Sequence, residues 1–228
     1  MTEKGLLLKV YEALRAAFGC RHWWPAESPF EVMVGAVLTQ NTNWANVERA
    51  IANLKQADLL RPAAMAEAEL TKLQALIRPA GYYRQKSVRL KRLAGWVARR
   101  CAPADEGLKA LRGLPLDCLR EELLALKGIG PETADSILLY ALGQPVFVVD
   151  AYTVRILARH QLVARDSRYG EVQSFFQDGL PTDLELFKDY HAQLVEVGKR
   201  YCKRRAPRCQ DCPLHPVLGA PTLEMELP

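Results

Sequence analysis

The feature that most constrains this chain is a succession of segments whose apolar residues recur every three or four positions, each closed by proline, glycine or aspartate. The stretch SPFEVMVGAVL at 28–38 shows the pattern: Ser28 stands at the N-cap, Pro29 opens the helix, Glu31 is placed to close a capping box, and Phe30, Val34, Val37 and Leu38 share a face. NWANVERAIANLKQA, TKLQALIRP, QKSVRLKRLAGWVARRC, LDCLREELLAL, PETADSILLYAL, DAYTVRILARHQLV and DLELFKDYHAQLVEVGKRYC continue it. No segment alternates apolar and polar residues convincingly, and VFVVD is too short and isolated to build a sheet. The predicted fold class is all-α, with PLHPVLGAPTLEMELP after Cys212 as a loosely ordered tail.

With 228 residues, 49% of them hydrophobic, the chain can fill one large core or two small ones sharing a cleft. Its most apolar stretch, ILLYALGQPVFVV at 137–149, is too short to cross a bilayer and is broken by Gly143 and Pro145, so no membrane partner is expected. The N-terminal MTEKGLLLKVYEALRAAF lacks the uninterrupted apolar core of a signal peptide, which predicts a cytoplasmic protein. The net charge of +5 is concentrated: Lys199, Arg200, Lys203, Arg204, Arg205 and Arg208 form one cluster, and Arg84, Lys86, Arg89, Lys91 and Arg92 another. Such clusters are either solvated helix faces or a footprint for a polyanion whose phosphates repeat in space.

Between two helical segments lies LKGIGPETADSI, 126–137, a helix–hairpin–helix pattern. Gly128 and Gly130 permit a tight bend and close approach of a partner, Pro131 lacks an amide hydrogen that a helix start would leave unpaired, and Ile129 is expected as a buried plug. The N–H groups of the turn, at a positive helix end, suit a phosphate, although a purely structural turn would use the same residues. Asp150 closes the apolar run VFVV and opens the next helix, so it can be an N-cap, a carboxylate facing a cleft, or both.

Six cysteines in a cytoplasmic chain argue against disulfides. Cys20, Cys101 and Cys118 are scattered and read as packing residues. Cys202, Cys209 and Cys212, spaced C-x6-C-x2-C, read either as a metal site whose basic neighbours favour the thiolates, or as a loop that has lost its metal and keeps its Lys and Arg contacts.

LxGIGxxTAxxI, then VVDxxxxRI, with LTQNT at 38–42 and GYYRQK at 81–86, resembles the endonuclease III or HhH-GPD superfamily of DNA glycosylases over nearly the whole chain. The resemblance implies two helical domains, a central bundle over 26–132 and a second built from 1–25 and 133–228, with the hairpin and Asp150 lining the cleft between them. Family members that also cut the strand carry a lysine two residues after the second hairpin glycine, whose amine forms a Schiff base with the sugar. Here that position is Glu132, and a carboxylate cannot form an imine, so the implied enzyme is a monofunctional glycosylase. Asp150 matches the family's catalytic aspartate, which is expected to stabilise an oxocarbenium-like sugar and to orient or deprotonate water.

HWWP at 22–25, Trp44 soon after QNT, and glutamate in place of the lysine resemble the 3-methyladenine DNA glycosylase branch. That resemblance implies Trp24 and Trp44 as stacking residues with Trp23 and Pro25 beside them; taken singly, each tryptophan reads equally as a core residue. A base alkylated on a ring nitrogen is a cation, worth about 0.5–2 kcal/mol against an aromatic face, and Glu132 would add attraction. Such a base also leaves readily, which relaxes the need for a general acid, and none stands out. N-alkylated purines, 3-methyladenine first, are the expected substrates.

By family position Gln40 would fill the gap left by an extruded base and Tyr82 would wedge between its neighbours; outside the motif they read as a helix-end polar residue and a loop aromatic. Gly128, Ile129 and Gly130, with Lys203, Arg204 and Arg205, are the other expected contacts to double-stranded damaged DNA, bound by a monomer. Many endonuclease III relatives complete a [4Fe–4S] site with a fourth cysteine where this chain has Leu218. The implied cluster therefore has a missing or atypical fourth ligand, with His215, Cys20 or an exogenous group able to complete it and zinc as an alternative. The rival readings are a glycosylase for a mismatched or oxidised base and a catalytically weak DNA-binding relative.

Overall fold

The computed structural model describes residues 3–21, 23–100 and 107–221; Cys101 and residues 222–228 of the expected tail lie outside them. As the periodicity requires, every regular element among the described residues is helical. In chain order they are α1 (Glu3–Phe18), α2 (Pro29–Leu38), α3 (Trp44–Gln56), α4 (Pro62–Glu67), α5 (Leu70–Leu76) with a 3-10 turn (Arg78–Ala80), α6 (Tyr83–Arg100), α7 (Gly107–Arg112), α8 (Leu116–Ala125), α9 (Pro131–Ser136) continued by a π-helical turn (Ile137–Ala141), α10 (Ala151–Arg159), α11 (Tyr169–Gly179), α12 (Leu184–Arg200) and α13 (His215–Leu218). No helix among them is long and apolar enough to cross a membrane.

The chain divides into two compact units, Trp24–Gln144 and Met1–Trp23 with Pro145–Pro228. The division falls after the π-helical turn, beyond the boundary expected at 132, because α9 and that turn pack against α2.

In the unit Trp24–Gln144, α2 is buried on every side from Phe30 to Leu38, as a helix apolar all round must be. Ser28 caps it by accepting from Glu31 N at 3.2 Å, but the capping box is only half formed. Glu31 accepts instead from Glu27 N at 3.0 Å and pairs with Lys55 at 3.0 Å, which keeps its buried carboxylate satisfied. α8 and α9 are tied across the hairpin by Arg120, which donates to both oxygens of the fully buried Asp135 at 2.7 and 3.1 Å. A fork this well matched to a carboxylate fixes the angle at which the two helices leave the turn.

In the other unit, α10 and α12 approach so closely that a Cβ on Gly198 would lie 2.3 Å from Tyr152 Cδ1. Arg155 exploits the approach, donating to Gly198 O at 3.2 Å and to Cys202 O at 2.7 Å. The run Val146–Val149 is buried and belongs to no helix or strand among the described residues. Side chains of α11 satisfy its backbone: Gln177 accepts from Phe147 N at 2.9 Å and Gln173 donates to Phe147 O at 2.7 Å. Phe147 stacks on Phe176 at 3.9 Å, and Phe187 and Tyr190 meet it edge-on.

Two expectations are corrected here. Cys20 and Cys118 are exposed, not packed. The stretch after Cys212 is not loose over 213–221, because Leu214 is buried and α13 packs on α1.

Candidate functional site

Gly128 has φ +99°, and a Cβ there would lie 2.5 Å from Arg89 Nε, so both backbone conformation and space demand glycine. Gly130 differs. Its backbone is extended, at φ −96° and ψ 177°, and a Cβ would meet nothing within 4 Å, so nothing inside the protein requires its small size. Ile129 is buried as the plug between them. Pro131 opens α9 and Glu132 follows in its first turn, exposed.

Gln40, just past the end of α2, is held by the hairpin. Its Nε2 donates to Gly128 O at 3.2 Å and to Thr133 Oγ1 at 2.9 Å, and its Oε1 accepts from Arg89 Nη1. Tyr82 is 63% exposed and has φ +45°, and Asn41 beside Gln40 has φ +53°. Both loops thus carry a non-glycine residue in the left-handed region, a strain typical of functional segments.

The second basic cluster is not a free phosphate footprint. Lys86 is buried and donates to Leu38 O and Ala80 O, both at 2.8 Å. Arg89 serves Gln40, Lys91 donates to Ala68 O, and Arg92 donates to Lys127 O at 3.2 Å. Arg84 sits with its guanidinium 5.9 Å from the Tyr83 ring. The physical reason is that helix ends leave carbonyls without intrahelical donors, and Lys86, Lys91 and Arg92 supply them. Burial, with Arg89 nearby, pushes the Lys86 ammonium down to about 8.

Trp24 lies against α2 at Gly35, where a Cβ would come within 3.1 Å of its Cζ2. Trp44 meets it edge-on at 5.4 Å, and Tyr140 is tilted against it at 5.5 Å. Trp44 Nε1 donates to Glu48 Oε1 at 2.7 Å. Sequence reasoning missed Tyr140 and Glu48. Glu48 left a signal, being one helical turn from Trp44, whereas Tyr140 sat in an apolar run that reads as core. Trp23 belongs to the other unit, where it lines a pocket with Tyr11, Arg15, Cys20 and Asp189, Lys199 Nζ standing 5.5 Å from its ring.

Asp150 caps α10. Its Oδ1 accepts from Thr153 N at 2.7 Å and from Thr153 Oγ1 at 2.8 Å, while Oδ2 lies 3.9 Å from His191 Nε2. His191 is buried on α12, which lowers its pKa, and Asp150 opposes that shift. Nothing local in the sequence marked His191; the close approach of α10 and α12 brings it to the aspartate.

Cys202, Cys209 and Cys212 line one cavity together with Arg159, His160 and His215. Cys202 Sγ accepts from Arg159 Nη1 at 3.0 Å, and His215 Nδ1 is buried with no hydrogen-bond partner among the described residues. The expectation that the basic loop favours the thiolates is corrected. Lys203, Arg204 and Arg205 are exposed, and burial pushes the thiols of Cys209 and Cys212 up, with neighbouring thiols adding to it and Arg159 opposing at Cys209. Among the described residues no three His, Cys, Asp or Glu side chains converge closely enough to hold one metal ion. Three cysteines and a histidine are donors that zinc accepts, but zinc needs its ligands about 2.0–2.3 Å from a single centre, closer than these side chains stand. In a cluster each thiolate would bind a different iron, and the donors that could do so here, Cys202, Cys209, Cys212 and His215, line one cavity. Leu218 on α13 offers no donor, and Cys20 lines the Trp23 pocket instead.

A family model described as the HhH-GPD superfamily base excision DNA repair protein matches residues 34–182. A protein of Methanocaldococcus jannaschii, provisionally named a DNA repair glycosylase, is 45% identical over 92% of this chain and 94% of its own. An endonuclease III of Thermotoga maritima is 31% identical over 81% of this chain and 79% of its own. Among solved structures, the 3-methyladenine DNA glycosylase of H. pylori bound to 1,N6-ethenoadenine superposes with a TM-score of 0.72, at 30% identity, covering 88% of this chain and 98% of the other.

Proposed function

This chain belongs to the HhH-GPD superfamily of base excision DNA repair proteins and is a DNA glycosylase, and on that footing we propose that it is monofunctional and releases N-alkylated purines, 3-methyladenine first, from double-stranded DNA. The observation that carries the substrate is the aromatic trio of Trp24, Trp44 and Tyr140, with the Glu48 carboxylate on the Trp44 indole N–H. Ring faces backed by a carboxylate favour a cationic base over its neutral parent. The 30% identity to a 3-methyladenine glycosylase supports the same choice.

Asp150 is the proposed catalytic residue. Thr153 fixes one of its oxygens, so the carboxylate is held in orientation while its charge remains available to a developing oxocarbenium and to water. Glu132 occupies the position where a strand-cutting relative would present an amine, so water takes the anomeric carbon as the base leaves, the sugar stays in the strand, and the product is an abasic site. Gln40 is the proposed plug and Tyr82 the wedge. Gly130, Lys203, Arg204 and Arg205 offer open backbone and exposed charge to phosphates.

Cys202, Cys209, Cys212 and His215 are the residues that would hold a [4Fe–4S] cluster. When bound, it would cross-link the loop that carries Lys203, Arg204 and Arg205. Iron and visible absorbance of anaerobically purified protein test this: both should be present and both should fall in His215→Ala.

The function is tested by incubating the protein with methylated duplex and with duplex carrying oxidised pyrimidines or mismatches, and identifying freed bases by mass spectrometry. Release of 3-methyladenine is expected. Release of only oxidised or mismatched bases would transfer the assignment to another branch, and binding without release would leave a DNA-binding relative.

A further inference from the structure

Lys86 is a cation with 1% of its surface exposed and no acidic partner among its hydrogen bonds. Its ammonium joins two chain segments that are distant in sequence. One partner, Leu38 O, is the last residue of α2, two positions before Gln40. The other, Ala80 O, ends the 3-10 turn, two positions before Tyr82. The backbone of the same residue adds a third tie, Lys86 N donating to Tyr82 O at 3.0 Å. Each loop then leaves its helix end through the left-handed region, at Asn41 with φ +53° in one and at Gly81 with φ +68° and Tyr82 with φ +45° in the other. Non-glycine residues hold such conformations only where their surroundings enforce them.

We propose that Lys86 is a positioning residue that couples Gln40 to Tyr82, fixing the plug and the wedge at a set separation so that they enter the duplex as one unit. The inference rests on the reading of Gln40 and Tyr82 given above. A buried ammonium suits the task because one nitrogen donates to two carbonyls at once, and leaving either carbonyl unsatisfied carries a desolvation penalty. Movement of one loop therefore draws on the other. Arg89, one helical turn on, grips Gln40 itself and is distinct from this link, since it does not reach the Tyr82 loop in any hydrogen bond described.

The test is a mutant cycle read without base release. The duplex carries a tetrahydrofuran abasic analogue flanked by 2-aminopurine, whose fluorescence reports local unstacking on saturation with protein. Gln40→Ala, Tyr82→Ala and the double substitution are measured in the unsubstituted protein and in Lys86→Met, whose folding is checked by circular dichroism. In the unsubstituted protein the two substitutions should be coupled by at least about threefold, and in Lys86→Met the coupling should fall to within about twofold of additivity. A general loss of stability would lower signal in every variant without removing the coupling. Should Lys86→Met fail to fold, Lys86→Arg, which keeps the charge but displaces the donors, carries the same readout. Coupling that survives in a folded Lys86 variant, or additivity already present in the unsubstituted protein, overturns this inference alone. Absence of unstacking by the unsubstituted protein removes the plug-and-wedge reading and this inference with it.

Discussion

His191 Nε2 stands 3.9 Å from one carboxylate oxygen of Asp150, while Thr153 holds the other through its backbone N–H and its hydroxyl. One residue thus does two jobs, capping α10 and presenting a fixed carboxylate. Asparagine caps a helix as well as aspartate but carries no charge. Asp150→Asn should therefore melt within a degree or two of the unsubstituted protein, while base release falls about 10²- to 10⁴-fold. Salt-sensitive DNA binding should persist. Equal loss of binding and release would show that the aspartate is structural.

The same pair gives a pH dependence whose expected sign follows from burial. Burial holds His191 below its ordinary value of 6.5, with Asp150 working against that shift. Below pH 6.5 the unfolded chain consequently binds the proton before the folded one does. Stability is full above that pH and declines as pH falls through it toward the folded value. Melting temperature measured against pH should show this decline, and His191→Gln should flatten it. A rise in melting temperature on acidification would mean that pairing with Asp150 outweighs burial.

The helical class was legible because the apolar period fixes which face of each segment is buried, and Ser28, Asn43, Asp150 and Asp183 each cap a helix through the side chain. What escaped depends on tertiary approach. The basic run on α6 looked like a polyanion footprint because sequence shows charge but not the carbonyls that Lys86, Lys91 and Arg92 meet. Tyr140 escaped because the π-helical turn changes which way a side chain points, and ILLYA carries no mark of it. The Arg120–Asp135 fork, which sets the hairpin angle, joins residues whose facing depends on the turn between them.

The two hairpin glycines should separate folding from binding. Gly128→Ala places a Cβ at φ +99° and 2.5 Å from Arg89 Nε. It should cost at least about 1–2 kcal/mol in denaturant unfolding. Gly130→Ala meets no atom and keeps an ordinary backbone, so its stability should change by less than about 0.5 kcal/mol. If the outer side of that turn approaches phosphate, Gly130→Ala should nevertheless weaken DNA binding. A destabilised Gly130→Ala with unchanged binding would place the turn's importance inside the fold.

Glu132 lies exposed in the first turn of α9, where a longer cationic side chain can be placed without repacking. Borohydride should trap none of the unsubstituted protein on DNA that it has rendered abasic. Glu132→Lys, which restores an amine at this point, should yield a trapped covalent species detectable by gel shift under denaturing conditions. Trapping of the unsubstituted protein would reveal another amine acting on the sugar and remove the monofunctional assignment.

Trp44 and Glu48 should divide stacking from charge. Trp44→Leu removes a ring that meets Trp24 at 5.4 Å, so it should lower kcat/KM for every base that stacks there. The carboxylate of Glu48 reaches the same ring through the indole N–H at 2.7 Å, and glutamine can accept that bond without the charge. A cationic base gains about 0.5–2 kcal/mol from such a face, so Trp44→Leu should cost 3-methyladenine release about 2- to 30-fold. Glu48→Gln should cost less, about two- to fivefold, and should act on the cationic base alone. Release of a neutral purine such as hypoxanthine, measured beside 3-methyladenine in the same duplex context, makes the comparison. A Glu48→Gln effect of equal size on both bases would mean that the carboxylate only orients Trp44, and selectivity for alkylated purines would then have to come from elsewhere in the protein.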